Sequence, residues 1–330
     1  MLFSSILKSC AAFAVGLCLA GTALAAEKRE VEIGLSSPSL PAAGARVAKE
    51  MGLFEKHGLD ARIVPMDNAS VATMGLISGS LDFTTSGGTD VVVSQARGQK
   101  LVAITSIYSG FAGVLVLSKA TADKLGISPT APVAQRLKAL DGILIASPSA
   151  TSTYTFAYKA AAEAAGAKIR FTYMAQPAML AALDTGAIQG MIVGSPFYAR
   201  PVLAGTGVLW ISGPKHELAP EYTPANAVTL NTRRDFAESN KDLMQRIAGV
   251  FADLSKAVDE RPADVKTAIR KVFPEIDART VDLLFETESQ GFKAKPLTTA
   301  DMAHEIAFVK TSGVPLSTDN KLDPAAMVFP

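Results

Sequence analysis

The chain carries the stretch MGLFEKHGLD at Met51–Asp60 and, further on, the stretch ISGSLDF at Ile77–Phe83. Apolar residues at helical spacing in the first stretch predict an amphipathic helix, and Gly58 is the kind of residue at which helices end. The next residues predict an apolar strand over Ala61–Met66 and a second helix over Ala69–Ile77 that stops before a glycine. The two stretches therefore mark where helices give way to strands.

Three predicted strands alternate with these two helices. One strand is predicted in front at Val31–Leu35 and one behind at Leu81–Thr85, with Ala61–Met66 between them. Alternating strands and helices are typical of a parallel sheet that is covered by helices. The sequence therefore predicts an α/β fold.

The sequence of these two stretches resembles that of the substrate-binding proteins of ABC importers of the nitrate, sulfonate and taurine type. In that family, GLFEKxGL and GxxDF segments recur at this separation. Two later stretches, LKALDGILIA at Leu137–Ala146 and AALDTGAIQ at Ala181–Gln189, resemble further segments of the same family. The resemblance covers Glu30 to Phe308. It implies a two-lobed type II periplasmic binding protein fold with two crossover strands and a helical C-terminal tail.

The predicted strands indicate that the chain leaves its first lobe and later returns to it. A first crossover is expected near the polar residues Tyr108–Gly110, and a second between Pro214 and Pro224. We expect a signal peptide at 1–26, a discontinuous first lobe at 27–112 and 222–330, and a second lobe at 113–221. Composition alone would also allow a single doubly wound domain with a helical cap.

The first 26 residues have the pattern of a secretory signal peptide. One early lysine, Lys8, precedes an apolar run from Cys10 to Leu24, and the small residues that follow predict cleavage near Ala25 or Ala26. A membrane anchor is the alternative, but the apolar run is shorter than the ~20 residues of a spanning helix. We therefore expect the mature protein to lie in the periplasm.

Composition narrows the class of protein. Both cysteines, Cys10 and Cys18, lie in the predicted signal peptide, so no disulfide or cysteine metal site is expected in the mature chain. The 32 basic and 31 acidic residues nearly balance, which argues against a nucleic-acid partner. We expect a monomer without cofactor or metal.

The residues after the predicted strands indicate where a ligand binds. In open α/β sheets, ligands lie beyond the carboxyl ends of the strands, where helices begin. Here those ends are followed mainly by small, hydroxylic or glycine residues. The candidate ligand-binding residues are Ser37, Ser39, Leu40, Gly87, Gly88, Thr89, Ser147, Ser149, Thr151, Ser152, Thr153, Ser195 and Phe197.

Small residues at helix starts let backbone N–H groups approach an anion, and the helix dipole adds partial positive charge without a lysine or arginine. The run Ser147–Thr153 is the best single candidate, and the resemblance implies this kind of loop in proteins that bind sulfonate or nitrate. The alternative is that each serine or threonine simply caps a helix.

The resemblance implies a receptor that binds a small oxyanion-bearing solute, such as an aliphatic sulfonate, taurine, a sulfate ester or nitrate, and delivers it to an ABC permease in the inner membrane. Aromatic carboxylates and pyrimidines are alternative ligands, and a periplasmic sensor on the same fold is an alternative role. No nucleophile-elbow, H-E-x-x-H or phosphate-loop motif occurs, so we expect no enzyme.

Overall fold

The computed structural model describes residues 28–66, 69–148, 150, 152–293, 295–311, 316 and 322–330. The predicted signal peptide lies outside these described residues. Within them, the strands form two five-stranded sheets, each covered by helices. The predicted α/β architecture is confirmed.

The first sheet has the strand order β2-β1-β3-β10-β4. Strands β1, β2 and β3 are parallel, as the alternation of strands and helices predicts, whereas β10 runs antiparallel between β3 and β4. The strands span β1 Arg29–Leu35, β2 Leu59–Pro65, β3 Phe83–Ser86, β4 Leu101–Ser109 and β10 Asn226–Arg233.

The second sheet has the order β7-β6-β8-β5-β9. Here β6, β7 and β8 are parallel, and β5 runs antiparallel between β8 and β9. Its strands are β5 Val114–Ser118, β6 Leu144–Ser147, β7 Arg170–Tyr173, β8 Gly190–Val193 and β9 Gly207–Ser212.

Helices flank both sheets and then make up most of the C-terminal part. Those before β10 are α1 Gly44–Glu50, α2 Leu53–Lys56, α3 Ala69–Ser78, α4 Gly88–Ala96, α5 Lys119–Leu125, α6 Val133–Lys138, α7 Thr153–Ala164, α8 Gln176–Asp184 and α9 Ala199–Ala204. After β10 come α10 Arg234–Ser239, α11 Lys241–Glu260, α12 Pro262–Val272, α13 Ala278–Glu288 and α14 Thr299–Thr311.

The first predicted helix is divided in two. Helix α1 ends at Glu50 and α2 begins at Leu53, because Gly52 takes a left-handed conformation with φ of 68°. Only glycine adopts such an angle without strain, so the turn between the helices depends on this residue. Phe54 is still buried, and its ring packs edge-on against Phe251 of α11.

The chain passes from the first sheet to the second between β4 and β5 and returns between β9 and β10. The first crossover was expected near the polar residues Tyr108–Gly110, but Tyr108 is a buried residue of a strand. Tyr108 belongs to β4, is 1% exposed and packs edge-on against Phe292 of the C-terminal part. Its hydroxyl finds a partner inside the protein, which allows the ring to be buried.

An ion pair between a buried arginine and a partly exposed glutamate supports the second sheet. The Arg136 side chain of α6 is only 4% exposed and donates to the carbonyl of Trp210 at 2.5 Å and to Glu217 at 2.7 Å. Glu217 also accepts the backbone N–H of Ser212 at 2.6 Å. The pair therefore joins α6, the buried strand β9 and the segment that leads back to the first sheet.

The C-terminal helices pack largely on the first sheet. The amphipathic helix α11 buries residues such as Leu243, Ile247 and Phe251 against α2 and β4. At the end of the chain, the backbone N–H of Phe329 donates to the carbonyl of Ala103 in β4. Among the described helices, none is both long and apolar enough to cross a membrane.

Candidate functional site

A cavity of about 950 Å³ lies at the carboxyl ends of strands from both sheets. The loop after β1, Ser36–Ser39, lines it from the first sheet, and Pro148 lines it from the second. A volume of several hundred Å³ is typical of pockets for small organic ligands. Parallel strands place their carboxyl ends at one edge of each sheet, so both sheets contribute to one site.

Four helices begin at this cavity. The first residues of α3 and α4 line it from the first sheet, and those of α7 and α8 from the second. The first four N–H groups of a helix have no partner within the helix, and the dipole gives this end partial positive charge. The cavity therefore has positive polarity built from backbone groups of both sheets.

Charged side chains contribute little to the wall. Of the described residues that line the cavity, none is a lysine, arginine or histidine, and Asp90 alone carries a charge. In the described wall, the groups that could bind an anion are therefore backbone N–H groups and hydroxyls. The carboxyl of Asp90 acts in the opposite direction.

Asp90 is held in place at the start of α4. Its Oδ2 atom accepts the backbone N–H of Gly87 at 2.9 Å, which caps the first turn of the helix. Burial raises the pKa of Asp90 to about 6, although bonds from Gly87 and Ser86 oppose this rise. Near neutral pH, this carboxyl is consequently close to its own titration range.

Aromatic rings form part of the wall on the side of the second sheet. Tyr154 of α7 packs edge-on against Phe111, with ring centroids 5.5 Å apart, and Phe156 lines the same cavity. Burial raises the pKa of the Tyr154 hydroxyl, so this group stays protonated and can donate a hydrogen bond. On the side of the first sheet, the exposed side chains of Val71 and Met74 in α3 add apolar surface.

Residues around Gly194 connect the two sheets beside the cavity. A Cβ atom placed on Gly194 would lie 2.9 Å from the Tyr154 hydroxyl and 3.4 Å from Cβ of Ser39. The backbone N–H of Leu40 donates to the carbonyl of Ser195 at 2.9 Å. The loops after β1 and β8 are thus in direct contact, and there is no space for a side chain at Gly194.

The same contact region includes a buried carboxyl from the C-terminal part. Oε2 of Glu288, at the end of α13, accepts the hydroxyl of Ser195 at 2.7 Å and that of Tyr108 at 3.4 Å. Burial raises the pKa of Glu288 to about 7. Glu288 therefore connects the end of β4 to the loop after β8.

A second buried carboxyl lies behind α4. Glu305 of α14 is fully buried, packs against Gly88 and accepts the backbone N–H of Asn226 at 3.0 Å. Burial raises its pKa to about 8; the backbone hydrogen bond from Asn226 opposes this rise, and the negative charges of Asp301 and Asp90 add to it slightly. Its other oxygen, Oε2, has no hydrogen-bond partner among the described residues. The folded protein therefore favours the protonated form of this side chain.

The cavity brings together six of the residues predicted from sequence. They come from three loops, and they are Ser37, Ser39, Gly87, Thr89, Ser152 and Thr153. Ser152 also has the role foreseen in the alternative prediction, because its hydroxyl caps α7 by accepting the backbone N–H of Thr155 at 3.1 Å. Ser149 and Thr151 lie outside the described residues.

Five other predicted residues do not line the cavity. Ser147 is fully buried and shares a 2.6 Å hydrogen bond with Thr155, and Ser195 is turned towards Glu288. The remaining three pack inwards, where Leu40 and Gly88 are buried and Phe197 lies against the core. Strand ends were located correctly, but the sequence does not show which residues there turn inwards.

Several lining residues were not among the predicted ligand contacts. Asp90 stands three residues after Gly87, the position from which an acid caps a helix, and this signal was available in the sequence. Gln176 opens α8, and its Oε1 accepts the backbone N–H of Gly194 at 2.8 Å. No group of three or more His, Cys, Asp or Glu in the described part of the chain could hold a metal ion.

Solved structures share this architecture at low sequence identity. The alkanesulfonate-binding protein SsuA from Xanthomonas axonopodis pv. citri, bound to MOPS, is 17% identical, with a TM-score of 0.71 over 92% of this chain and 99% of the other. SsuA from Escherichia coli is 18% identical, with a TM-score of 0.68 over 91% and 99%. The nitrate-binding protein NrtA from Synechocystis PCC 6803 is 13% identical, with a TM-score of 0.69 over 92% and 86%.

These similarities confirm the predicted two-lobed type II periplasmic binding protein fold, and they agree with the resemblance to nitrate- and sulfonate-type binding proteins. No curated protein matches the sequence. The model of the NMT1-like family matches residues 24–272, which is most of the chain. The chain therefore belongs to the NMT1-like family.

Proposed function

We propose that this protein is the periplasmic solute-binding component of an ABC importer, without catalytic activity of its own. It binds a small organic solute that carries an oxyanion, of the aliphatic sulfonate, taurine, sulfate ester or nitrate class, and delivers it to a membrane permease. The observation that carries this proposal is the cavity between the two sheets, where four helices begin. Such helix starts attract anions through backbone N–H groups.

The lobes close around the solute, with the two crossovers as hinge. We assign the first lobe to 27–112 and 222–330 and the second to 113–221, after removal of a signal peptide at 1–26. Contacts of the solute with both lobes favour the closed form, so binding shifts the population of conformations. A closed monomer is the form that we expect the permease to recognise.

A second ligand class is favoured by one observation. The aromatic wall of Phe111, Tyr154 and Phe156, together with the lack of a described cationic side chain in the cavity, suits a flat, uncharged ring such as a pyrimidine, or the ring of an aromatic carboxylate. Stacked and edge-on contacts with such rings add to the stabilisation from buried apolar surface. The receptor role is the same for either class.

A thermal-shift screen of the purified protein tests the proposal. The panel contains alkanesulfonates, taurine, a sulfate ester, nitrate, aromatic carboxylates and pyrimidines, with the corresponding alcohols as oxyanion-free controls. A solute at 100 times its Kd should stabilise the folded protein by about 2.7 kcal/mol, a shift of several degrees. A shift with sulfonates but not alcohols supports the oxyanion class. If only pyrimidines or aromatic acids shift the melting temperature, the ligand belongs to the second class and not to the oxyanion class. If no compound shifts it, the receptor role is contradicted.

Substitution of Gly194 by alanine should weaken solute binding by about tenfold. The new Cβ would contact the Tyr154 hydroxyl and Ser39, so the loops after β1 and β8 would be held apart. Overpacking of this kind costs about 1–3 kcal/mol, and each 1.4 kcal/mol is a factor of ten in Kd. Calorimetric titration with a solute from the screen measures the change.

The pair Gly194→Ala and Tyr154→Phe is the matched control. Removal of the hydroxyl makes space for the new methyl group, so the double variant should bind nearly as well as Tyr154→Phe alone. If the double variant binds the solute as weakly as Gly194→Ala, the contact between the loops does not control binding.

A further inference from the structure

The cavity combines two features of opposite polarity. Helix starts from both sheets give it positive polarity, while Asp90 places a carboxyl on the wall beside one of those starts. Asp90 lies in the first turn of α4, next to the lining residues Gly87 and Thr89. A solute at the start of α4 therefore lies close to this carboxyl.

Asp90 has acceptor capacity to spare. A carboxylate has two oxygens and about four lone-pair sites. Within the protein, its side chain accepts hydrogen bonds from the Gly87 backbone and from Ser86. The side chain is only partly buried and lines the cavity, so the remaining sites are available to a bound molecule.

This acceptor discriminates between solutes. A purely anionic solute without a donor would be repelled by the carboxylate, and no described lysine, arginine or histidine in the cavity wall compensates. A solute with an N–H or ammonium group would instead form a charge-assisted hydrogen bond, which is stronger than a neutral one. The carboxyl thus favours one kind of solute and disfavours another.

We propose that Asp90 determines the specificity of the site by accepting a hydrogen bond from an amine or other N–H donor of the solute. The inference rests on the proposed function, because it concerns the same cavity. It holds for either ligand class, since an aminosulfonate and an aminopyrimidine both carry such a donor. Within the proposed ligand classes, the inference thus favours an amine-bearing solute, such as an aminosulfonate or an aminopyrimidine, over nitrate or a simple sulfonate.

Two matched pairs of probes test the inference by calorimetric titration of the full protein. One pair is 2-aminoethanesulfonate and ethanesulfonate, and the other is 4-aminopyrimidine and pyrimidine. In at least one pair, the amine-bearing member should bind about 10- to 100-fold more tightly, the range expected of a hydrogen bond to a charged group. Asp90→Asn should remove most of that difference, whereas Asp60→Asn, on the exposed part of β2, should leave it unchanged.

Proton release gives a readout that needs no variant. Burial raises the pKa of Asp90 to about 6, and a nearby ammonium group would lower it again. Binding of 2-aminoethanesulfonate at pH 6 should therefore release protons, seen as a heat that changes with the ionisation enthalpy of the buffer. This measurement keeps the test valid if Asp90→Asn fails to fold.

The outcomes separate the inference from the proposed function. Equal affinities within the pairs, unchanged by Asp90→Asn and without proton release, would overturn the inference and leave the receptor role intact. If only the pyrimidine pair binds, the oxyanion class is wrong. Tighter binding of 4-aminopyrimidine than of pyrimidine would then support the role of Asp90, and equal binding would overturn it. Failure of both pairs to bind would overturn the inference together with both ligand classes.

Discussion

Replacement of Glu305 by glutamine is expected to flatten the dependence of protein stability on pH. Burial raises the pKa of Glu305 from 4.5 to about 8, because the fully buried carboxyl loses its hydration when it ionises. The folded state therefore binds a proton that the unfolded state has already released between these two pH values. Stability contributed by the protonated form is complete below pH 4.5 and is lost as the pH rises to about 8.

The size of the effect follows from proton linkage. While one proton separates the folded and unfolded states, the free energy of unfolding falls by about 1.4 kcal/mol for each pH unit. Glutamine cannot ionise, so this contribution disappears in Glu305→Gln. Glu288, whose pKa burial also raises, keeps its own contribution in both proteins.

Urea denaturation at pH 5, 6, 7, 8 and 9 measures the change. The wild-type protein should lose stability relative to Glu305→Gln as the pH rises, and the two curves should diverge most between pH 5 and 8. Glu286→Gln, an exposed substitution on α13, is the control and should follow the wild type. Parallel curves for wild type and Glu305→Gln would contradict the prediction.

Replacement of Glu217 by alanine is expected to reduce the free energy of unfolding by about 3 kcal/mol, because loss of one partner leaves a buried charge without compensation. The Arg136 side chain is 4% exposed, and its guanidinium donates a hydrogen bond to Oε1 of Glu217 at 2.7 Å. The backbone N–H of Ser212 would lose its acceptor as well. Both lost hydrogen bonds hold α6 and β9 of the second sheet in place.

Chemical denaturation at constant pH tests this prediction, with Glu221→Ala as an exposed control in the same returning segment. The double variant Arg136→Met with Glu217→Ala should be more stable than Glu217→Ala alone, since no unpaired buried charge remains. A Glu217→Ala protein as stable as Glu221→Ala would show that solvent compensates Arg136.

The sequence predicted those parts of the fold that depend on local patterns. Apolar periodicity and terminal glycines placed β1 to β3 and α3 within a few residues of their observed bounds. The break at Gly52 was missed, because a glycine inside a helical pattern lowers helix propensity without showing that the chain turns there. Hydroxylic residues at strand ends also pointed to the edge of both sheets at which the cavity lies.

The charge balance of the site could not be predicted in the same way. Glu288 and Glu305 lie in the C-terminal helices, far along the chain from Ser195 and Gly88, which they contact. In sequence, they look like the exposed acids of any amphipathic helix. Their burial depends on how those helices pack on the sheets, and long-range packing leaves no mark in a local pattern.

The position of β10 in the first sheet bears on the order in which the chain folds as it leaves the ribosome. This strand lies between β3 and β4, yet more than a hundred residues, including the whole second sheet, separate it from β4 in the chain. Contacts between residues far apart in the chain form slowly, because a long loop must be closed first. We expect β5 to β9 to assemble before β10 joins β4 to β3 in the first sheet. Until Asn226–Arg233 has emerged, β3 and β4 cannot be joined and the first sheet stays incomplete.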